Sequence, residues 1–297
     1  MTRPSQRSGA IRRAAVLMLA STALGGCVLR GPLTEKFGFM GRPLRDGKVT
    51  PAQWGWENAH LDTISRSDSA GGLLAWWAPA SAAAPSCGGA LLLHGKGKNR
   101  SEMLEIGRAL HASGFSVLIP DYRGFGGTAG RATTDGVYAD ASLAYRDLRA
   151  RLSDSLAPIV VVGHSMGTAL AARVARENNP AATVYMSPFT RISSIVRARA
   201  GAIGPRLFDT TMFAFNPIED AAAVPGRSLI VIAGRDLLIP KAESNRFIAQ
   251  LPLSAVVRVK RATHNGVLSD SLAVSAVSDS LDAWTACAAR RRSARAP

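Results

Sequence analysis

Pro158-Ile159-Val160-Val161-Val162-Gly163-His164-Ser165-Met166-Gly167-Thr168-Ala169-Leu170 is the stretch whose reading decides the fold. A β-branched run stops at Gly163-His164-Ser165-Met166-Gly167, and an Ala-rich segment of helical composition begins at once. This is a G-x-S-x-G signature set between a strand and a helix, the context in which a serine is raised on a sharp turn as a nucleophile. Reversing the chain within so few residues leaves the serine backbone strained. Side chains two residues to either side would meet the adjoining strand and helix, which is why both positions are glycine. The helix starting at Met166 directs N–H groups and the positive end of its dipole at whatever Ser165 attacks.

Outward from this turn, short apolar runs alternate with helical stretches. Strands are expected at 89–93, 115–119, 159–162, 183–186, 229–233 and 256–259, and helices at 101–113, 135–152, 166–178, 241–250 and 266–289. Strands that are apolar on both faces and separated by helices predict a mostly parallel sheet in a three-layer α/β domain. Ahead of them, 54–79 reads as an antiparallel hairpin turning at 67–72, with 73–77 as its second strand and Trp76 and Trp77 as packing residues. The alternation breaks between 188 and 225, in an insertion carrying Arg191, Arg197, Arg199, Phe208, Met212, Phe213 and Phe215. It follows the strand after Ser165, where a small cap over the site would sit. Its apolar residues either line an acyl pocket or form the inner face of that cap.

A serine hydroxyl needs a base within hydrogen-bond reach and an acid to orient that base. Asp236 follows the run 229–233, and His264 follows the last strand, so both fall at the same sheet edge as Ser165. The chain has five histidines. His60 and His111 precede the serine turn in poor positions, His94 reads as a structural loop residue, and His164 packs beneath the turn. That leaves His264 as the base and Asp236 as the acid, with Glu219 and Asp220 as fallback acids. The oxyanion of a tetrahedral intermediate needs two N–H donors. The backbones of Met166, after the serine, and of Lys96, in the loop after 89–93, are expected to supply them.

With these residues in place, the domain from about Trp54 onward resembles an α/β-hydrolase. Leu93-His94-Gly95 together with Asp121-Tyr122-Arg123-Gly124-Phe125-Gly126-Gly127 is similar to the small-capped, BEM46-like serine hydrolases of the ABHD13 type. That group tends to read His-Gly-Asn-Ala-Gly-Asn at the first loop, and here Lys96 and Lys98 replace an asparagine and a glycine. The resemblance implies a three-layer α/β-hydrolase fold with an antiparallel N-terminal hairpin and a small cap.

The N-terminus reads as an address. Arg3, Arg7, Arg12 and Arg13 precede an apolar run over 14–24, too short to span a bilayer but suited to a signal-peptide core. Leu24-Gly25-Gly26-Cys27 resembles a bacterial lipobox, which makes Cys27 the lipidated residue. The expected organisation is a signal peptide at 1–26, the lipidated Cys27 and a tether over 27–53, the catalytic domain over 54–289 and a basic tail over 290–297.

Of the formal net charge of +15, the four signal arginines and Arg290, Arg291, Arg292 and Arg295 carry about half, which leaves a moderately basic body. No basic helix carries interleaved aromatics, which excludes the usual nucleic-acid binders. The tail lies near an anionic membrane or is simply solvated. Of the three cysteines, assigning Cys27 to lipid leaves Cys87 and Cys287 as a pair in an exported, disulfide-permissive setting. Cys87 precedes the strand 89–93 at the edge opposite the catalytic loops, and the last helix returns Cys287 to that edge. A disulfide between them is expected.

The reading is an exported, lipid-anchored serine hydrolase of the bacterial envelope acting on small acyl esters, with no metal or organic cofactor. An acyltransferase or peptidase on the same residues, and a non-catalytic surface binding lipoprotein, are the rival readings.

Overall fold

The computed structural model describes residues 50–67, 71–81, 86–201, 214–224, 226–287 and 289. The expected signal peptide, Cys27, most of the tether, Phe208, Met212 and Phe213 of the insertion, and the basic tail lie outside the described residues.

The strands are β1 (His60–Ile64), β2 (Leu73–Ala78), β3 (Gly89–Leu93), β4 (Ser116–Pro120), β5 (Ile159–His164), β6 (Ala182–Met186), β7 (Arg227–Ala233) and β8 (Ala255–Val259). They form one sheet in the order β1-β2-β4-β3-β5-β6-β7-β8. β1 and β2 pair antiparallel, β2 pairs antiparallel with β4, and every later neighbour is parallel. The helices are α1 (Leu104–Ala112), α2 (Thr134–Arg151), α3 (Met166–Asn178), α4 (Ile192–Ala200), α5 (Pro217–Ala222), α6 (Lys241–Gln250) and α7 (Ser271–Trp284).

The period of two along each strand divides the core into two layers. Leu91, Leu93, Ile159 and Val161 face one layer with Leu148, Leu170, Val174 and Phe247, from α2, α3 and α6. Ala90, Leu92, Val160 and Val162 face the other with Leu104, Leu110, Val277 and Leu281, from α1 and α7. β3 and β5 are buried at every residue, as central parallel strands covered on both faces must be.

Three boundaries differ from the sequence expectation by more than two residues. The stretch 101–113 opens as a 3-10 turn over Arg100–Met103, capped by the Asn99 side chain, before α1 begins. The last helix begins at Ser271 rather than 266, because the Asp270 side chain accepts the Leu272 N–H and caps it there. Gly266–Leu268 is a separate 3-10 turn, and α7 stops at Trp284 rather than 289. Cys287 lies just beyond, next to Ala286, whose φ is 54°. The Sγ atoms of Cys87 and Cys287 are bonded, with Cα atoms 5.0 Å apart. Beside them Ser113 Oγ, at the end of α1, lies 2.8 Å from Ser278 Oγ of α7.

Candidate active site

Ser165 sits between β5 and α3 with φ 52° and ψ −118°, a region that side chains rarely occupy and that surrounding structure must impose. The imposing contacts are on both sides. A Cβ on Gly163 would collide with the Gly167 carbonyl, and one on Gly167 with the Leu93 carbonyl. The Ser165 N–H donates to the Met186 carbonyl of β6 at 3.0 Å. β5, α3 and β6 therefore clamp the turn.

His264 Nε2 lies 2.9 Å from Ser165 Oγ, and His264 Nδ1 lies 2.7 Å from Asp236 Oδ2. Asp236 Oδ1 accepts the N–H groups of Leu238 at 2.8 Å and Ile239 at 2.7 Å, which fixes the carboxylate plane. Burial raises the Asp236 pKa, but the His264 hydrogen bond and charge and those two amides outweigh it and hold it below its ordinary value. The loops are themselves pinned together. Gly234 N–H donates to Val259 O and Arg235 N–H to Ala262 O, so the loop after β7 lies along the loop after β8. The structure thus brings together the three residues singled out in sequence. A hydroxyl in this arrangement can pass its proton to the imidazole as it attacks an electrophilic carbon.

Met166 opens α3 directly behind Ser165, where a backbone N–H has no partner within the helix. Gly95 abuts the serine, since a Cβ there would come within 3.2 Å of Ser165 Cβ, and Lys96 is the next residue. Burial lowers the pKa of the Lys96 ammonium.

Glu219 and Asp220 are elsewhere. Asp220 is buried between Arg173 at 2.9 Å and Arg176 at 2.8 Å, while Glu219 pairs with Arg191. Phe215 of the insertion packs edge-on against Tyr138 of α2, with ring centroids 5.4 Å apart, as part of the buried core.

Sequence reasoning missed the buried polar support under the loops. Asp121 takes the Arg100 N–H at 2.7 Å and its guanidinium, and lies 3.2 Å from His94 Nε2, all fully buried. His94 stacks on Tyr122 at 4.4 Å, and the Arg123 guanidinium grips Asp140 through two contacts of 2.9 and 2.7 Å. Gly126 has φ 53° and no room for a Cβ against the Asp121 carboxylate. The run 121–127 is therefore scaffolding for the 94–103 loop. Glu102, also missed, accepts the Gly95 N–H at 2.6 Å.

Known proteins share the fold. Among solved structures, an esterase of Pyrococcus furiosus superposes with a TM-score of 0.66 at 19% identity, covering 82% of this chain and 97% of that one. An alpha-beta hydrolase of Vibrio vulnificus also gives 0.66, at 18% identity over 86% of this chain and 93% of that one.

The chain has the α/β-hydrolase fold.

A family model described as "Serine aminopeptidase, S33" matches residues 85–212, less than half of the chain. An uncharacterized protein of Mycobacterium tuberculosis is 35% identical over 161 residues, 54% of this chain and 56% of that protein. The lysophosphatidylserine lipase ABHD12 of Gallus gallus is 32% identical over 125 residues, 40% of this chain and 32% of that protein. The chain thus spans little more than half of the mycobacterial relative and about a third of the lipase.

Proposed function

We propose that this α/β-hydrolase cleaves carboxylic esters through an acyl-enzyme. The observation that carries the reading is the unbroken line from Ser165 Oγ through His264 to Asp236, at 2.9 and 2.7 Å, on a strained strand-to-helix turn. In the cycle, Ser165 Oγ bonds to the carbonyl carbon while its proton passes to His264 Nε2. The oxyanion is held by the N–H groups of Met166 and Lys96. The carbon–oxygen bond to the alcohol breaks, and the alcohol leaves with the proton from His264. Water then repeats the sequence, giving its proton to His264 and releasing the acid and the free serine. Asp236, accepting from Nδ1–H, keeps Nε2 free to receive each proton and stabilises the imidazolium.

The names of similar proteins support ester over amide bonds, since the solved neighbour is an esterase and one relative a lipase, although the family model is described as an aminopeptidase. Anchoring at a lipidated Cys27 after export remains part of the proposal and rests on Leu24-Gly25-Gly26-Cys27. The acyl group is expected to be short to medium, because the insertion over 188–225, read in sequence as a cap, is small.

The test is labelling by a fluorophosphonate probe in the wild type, Ser165→Ala and His264→Ala. Labelling of the wild type alone is expected, whereas equal labelling of all three overturns the mechanism, and an unlabelled wild type favours a binding role. Turnover of p-nitrophenyl esters of increasing chain length, beside peptide amides and with added acceptor alcohols, separates esterase, peptidase and acyltransferase.

A further inference from the structure

Glu102 is a buried charge that the cycle above leaves without a task. It belongs to the polar run Lys98-Asn99-Arg100-Ser101-Glu102, yet its side chain is only 3% exposed. Its Oε2 accepts the Gly95 N–H at 2.6 Å and lies 3.4 Å from Nδ1 of His164, itself buried. Across the His164 ring, Nε2 lies 2.9 Å from the main-chain oxygen of His264. A carbonyl can only accept, so Nε2 carries a proton and donates. A chain of close contacts therefore runs from the Gly95 amide through Glu102, across the 3.4 Å approach to His164 Nδ1, to the backbone of His264. One end lies beside the nucleophile and the other is the residue that carries the base.

The fit at the first end is close. A Cβ on Gly95 would come within 3.0 Å of Glu102 Oε2, 3.2 Å of Ser165 Cβ and 3.3 Å of His164 Nδ1. At the second end the His164 and His264 rings are 4.9 Å apart. Burying a carboxylate here is tolerable only with compensation. Burial raises the Glu102 pKa, but the hydrogen bond and charge of His164, the charge of His94 and the Gly95 amide bring it down to about 2.

We propose that Glu102 and His164 are positioning residues that hold the oxyanion loop and the catalytic base in register with Ser165. The proposal rests on the hydrolase reading. Glu102 engages the Gly95 amide, and Lys96, whose amide is the proposed oxyanion donor, is the next residue. Asp236 fixes the ring of His264, and His164 fixes its main chain. Neither Glu102 nor His164 exchanges a proton with substrate.

Glu102→Gln keeps the size and an oxygen for Gly95 while removing the charge that faces His164. A displacement of well under an ångström is expected, lowering both kcat on p-nitrophenyl butyrate and the fluorophosphonate labelling rate by about 30- to 100-fold. KM should change by less than about twofold, because binding in the ground state does not use the line. His164→Phe should lose as much, and the double variant no more than either single one, since both break the same line. Rates per folded molecule within twofold of wild type overturn the proposal, as does a double variant whose loss is the product of the single losses. A merely structural pair would lower the unfolding midpoint and leave those rates alone.

If Glu102→Gln does not fold, Glu102→Asp replaces it. It retains the charge but withdraws it from Gly95, and the same loss or the same overturning result applies. Proton NMR gives a readout that needs no turnover. The downfield Nδ1 proton of the His264–Asp236 bond should move in the Glu102 variant, and an unmoved resonance overturns the proposal. A wild type that neither labels nor turns over defeats the hydrolase reading, while the NMR comparison still decides the positioning claim.

Discussion

Gly163 and Gly167 touch across the turn that bears Ser165: the Gly163 Cα faces the Gly167 carbonyl with no space for a methyl group between them. Neither glycine has positive φ, so space, not backbone conformation, demands them. Gly163→Ala should cost about 3 kcal/mol of stability, as overpacking a rigid site does, and should abolish labelling by moving Ser165 off its perch. Urea unfolding and probe labelling on the same preparation check both parts.

Acid should weaken the fold through Glu102. Its pKa is about 2 in the folded protein against an ordinary 4.5. A carboxyl depressed in the folded state contributes stability that is fully present above its unfolded pKa and is lost as pH falls through the folded one. That contribution, about 3 kcal/mol from a shift of this size, should therefore disappear between about pH 4.5 and about pH 2. Asp236, also depressed, adds to the same limb. Unfolding free energy against pH should fall less steeply over this window in Glu102→Gln than in the wild type.

Lys96 follows Gly95 beside the nucleophile, and burial makes its ammonium charge costly. An anionic substrate would offset that cost, so Lys96→Met should lower kcat/KM selectively for negatively charged esters. A matched pair of neutral and carboxylate-bearing p-nitrophenyl esters measures the ratio, and an equal change for both removes the idea.

The bond between Cys87 and Cys287 spans 200 residues of sequence. In the chain-entropy model, closing a loop of that length stabilises by about 5 kcal/mol as an upper figure. Reduction by dithiothreitol, or Cys87→Ala with Cys287→Ala, should lower the unfolding midpoint. Labelling at 25 °C should survive, because the bridge lies at the sheet edge away from Ser165.

Ser165, Asp236 and His264 were legible because each is tied to a local pattern: a serine between two glycines at a strand end, an aspartate just past a run of Leu, Ile and Val, and a histidine after the last strand. The central strands were legible for the same reason, since four to six apolar residues in succession have few alternatives. Glu102 and Arg100 were not. In sequence they lie among Lys98, Asn99 and Ser101 and look like solvated loop, and only tertiary contact shows that Arg100 is buried against Asp121, 21 positions on. Burial of a charge is a property of its partners, and partners distant in sequence leave no periodicity behind. The start of the last helix was misjudged for a smaller reason: the Asp270 cap competes with the apolar pattern that runs back to Gly266, and capping won.

The sulfur bridge also alters the mechanics of the chain. Residues 87–287 form a covalent ring that contains Ser165, Asp236 and His264, while β1 and β2 lie outside it as a leader. Tension applied from the N-terminal side reaches these two strands first and ends at Cys87, where the load crosses directly to Cys287. The loops that carry the nucleophile, acid and base lie in the slack arm of this circuit. A single peptide-bond cut within the ring would likewise leave one molecule on a non-reducing gel and release two fragments only after reduction.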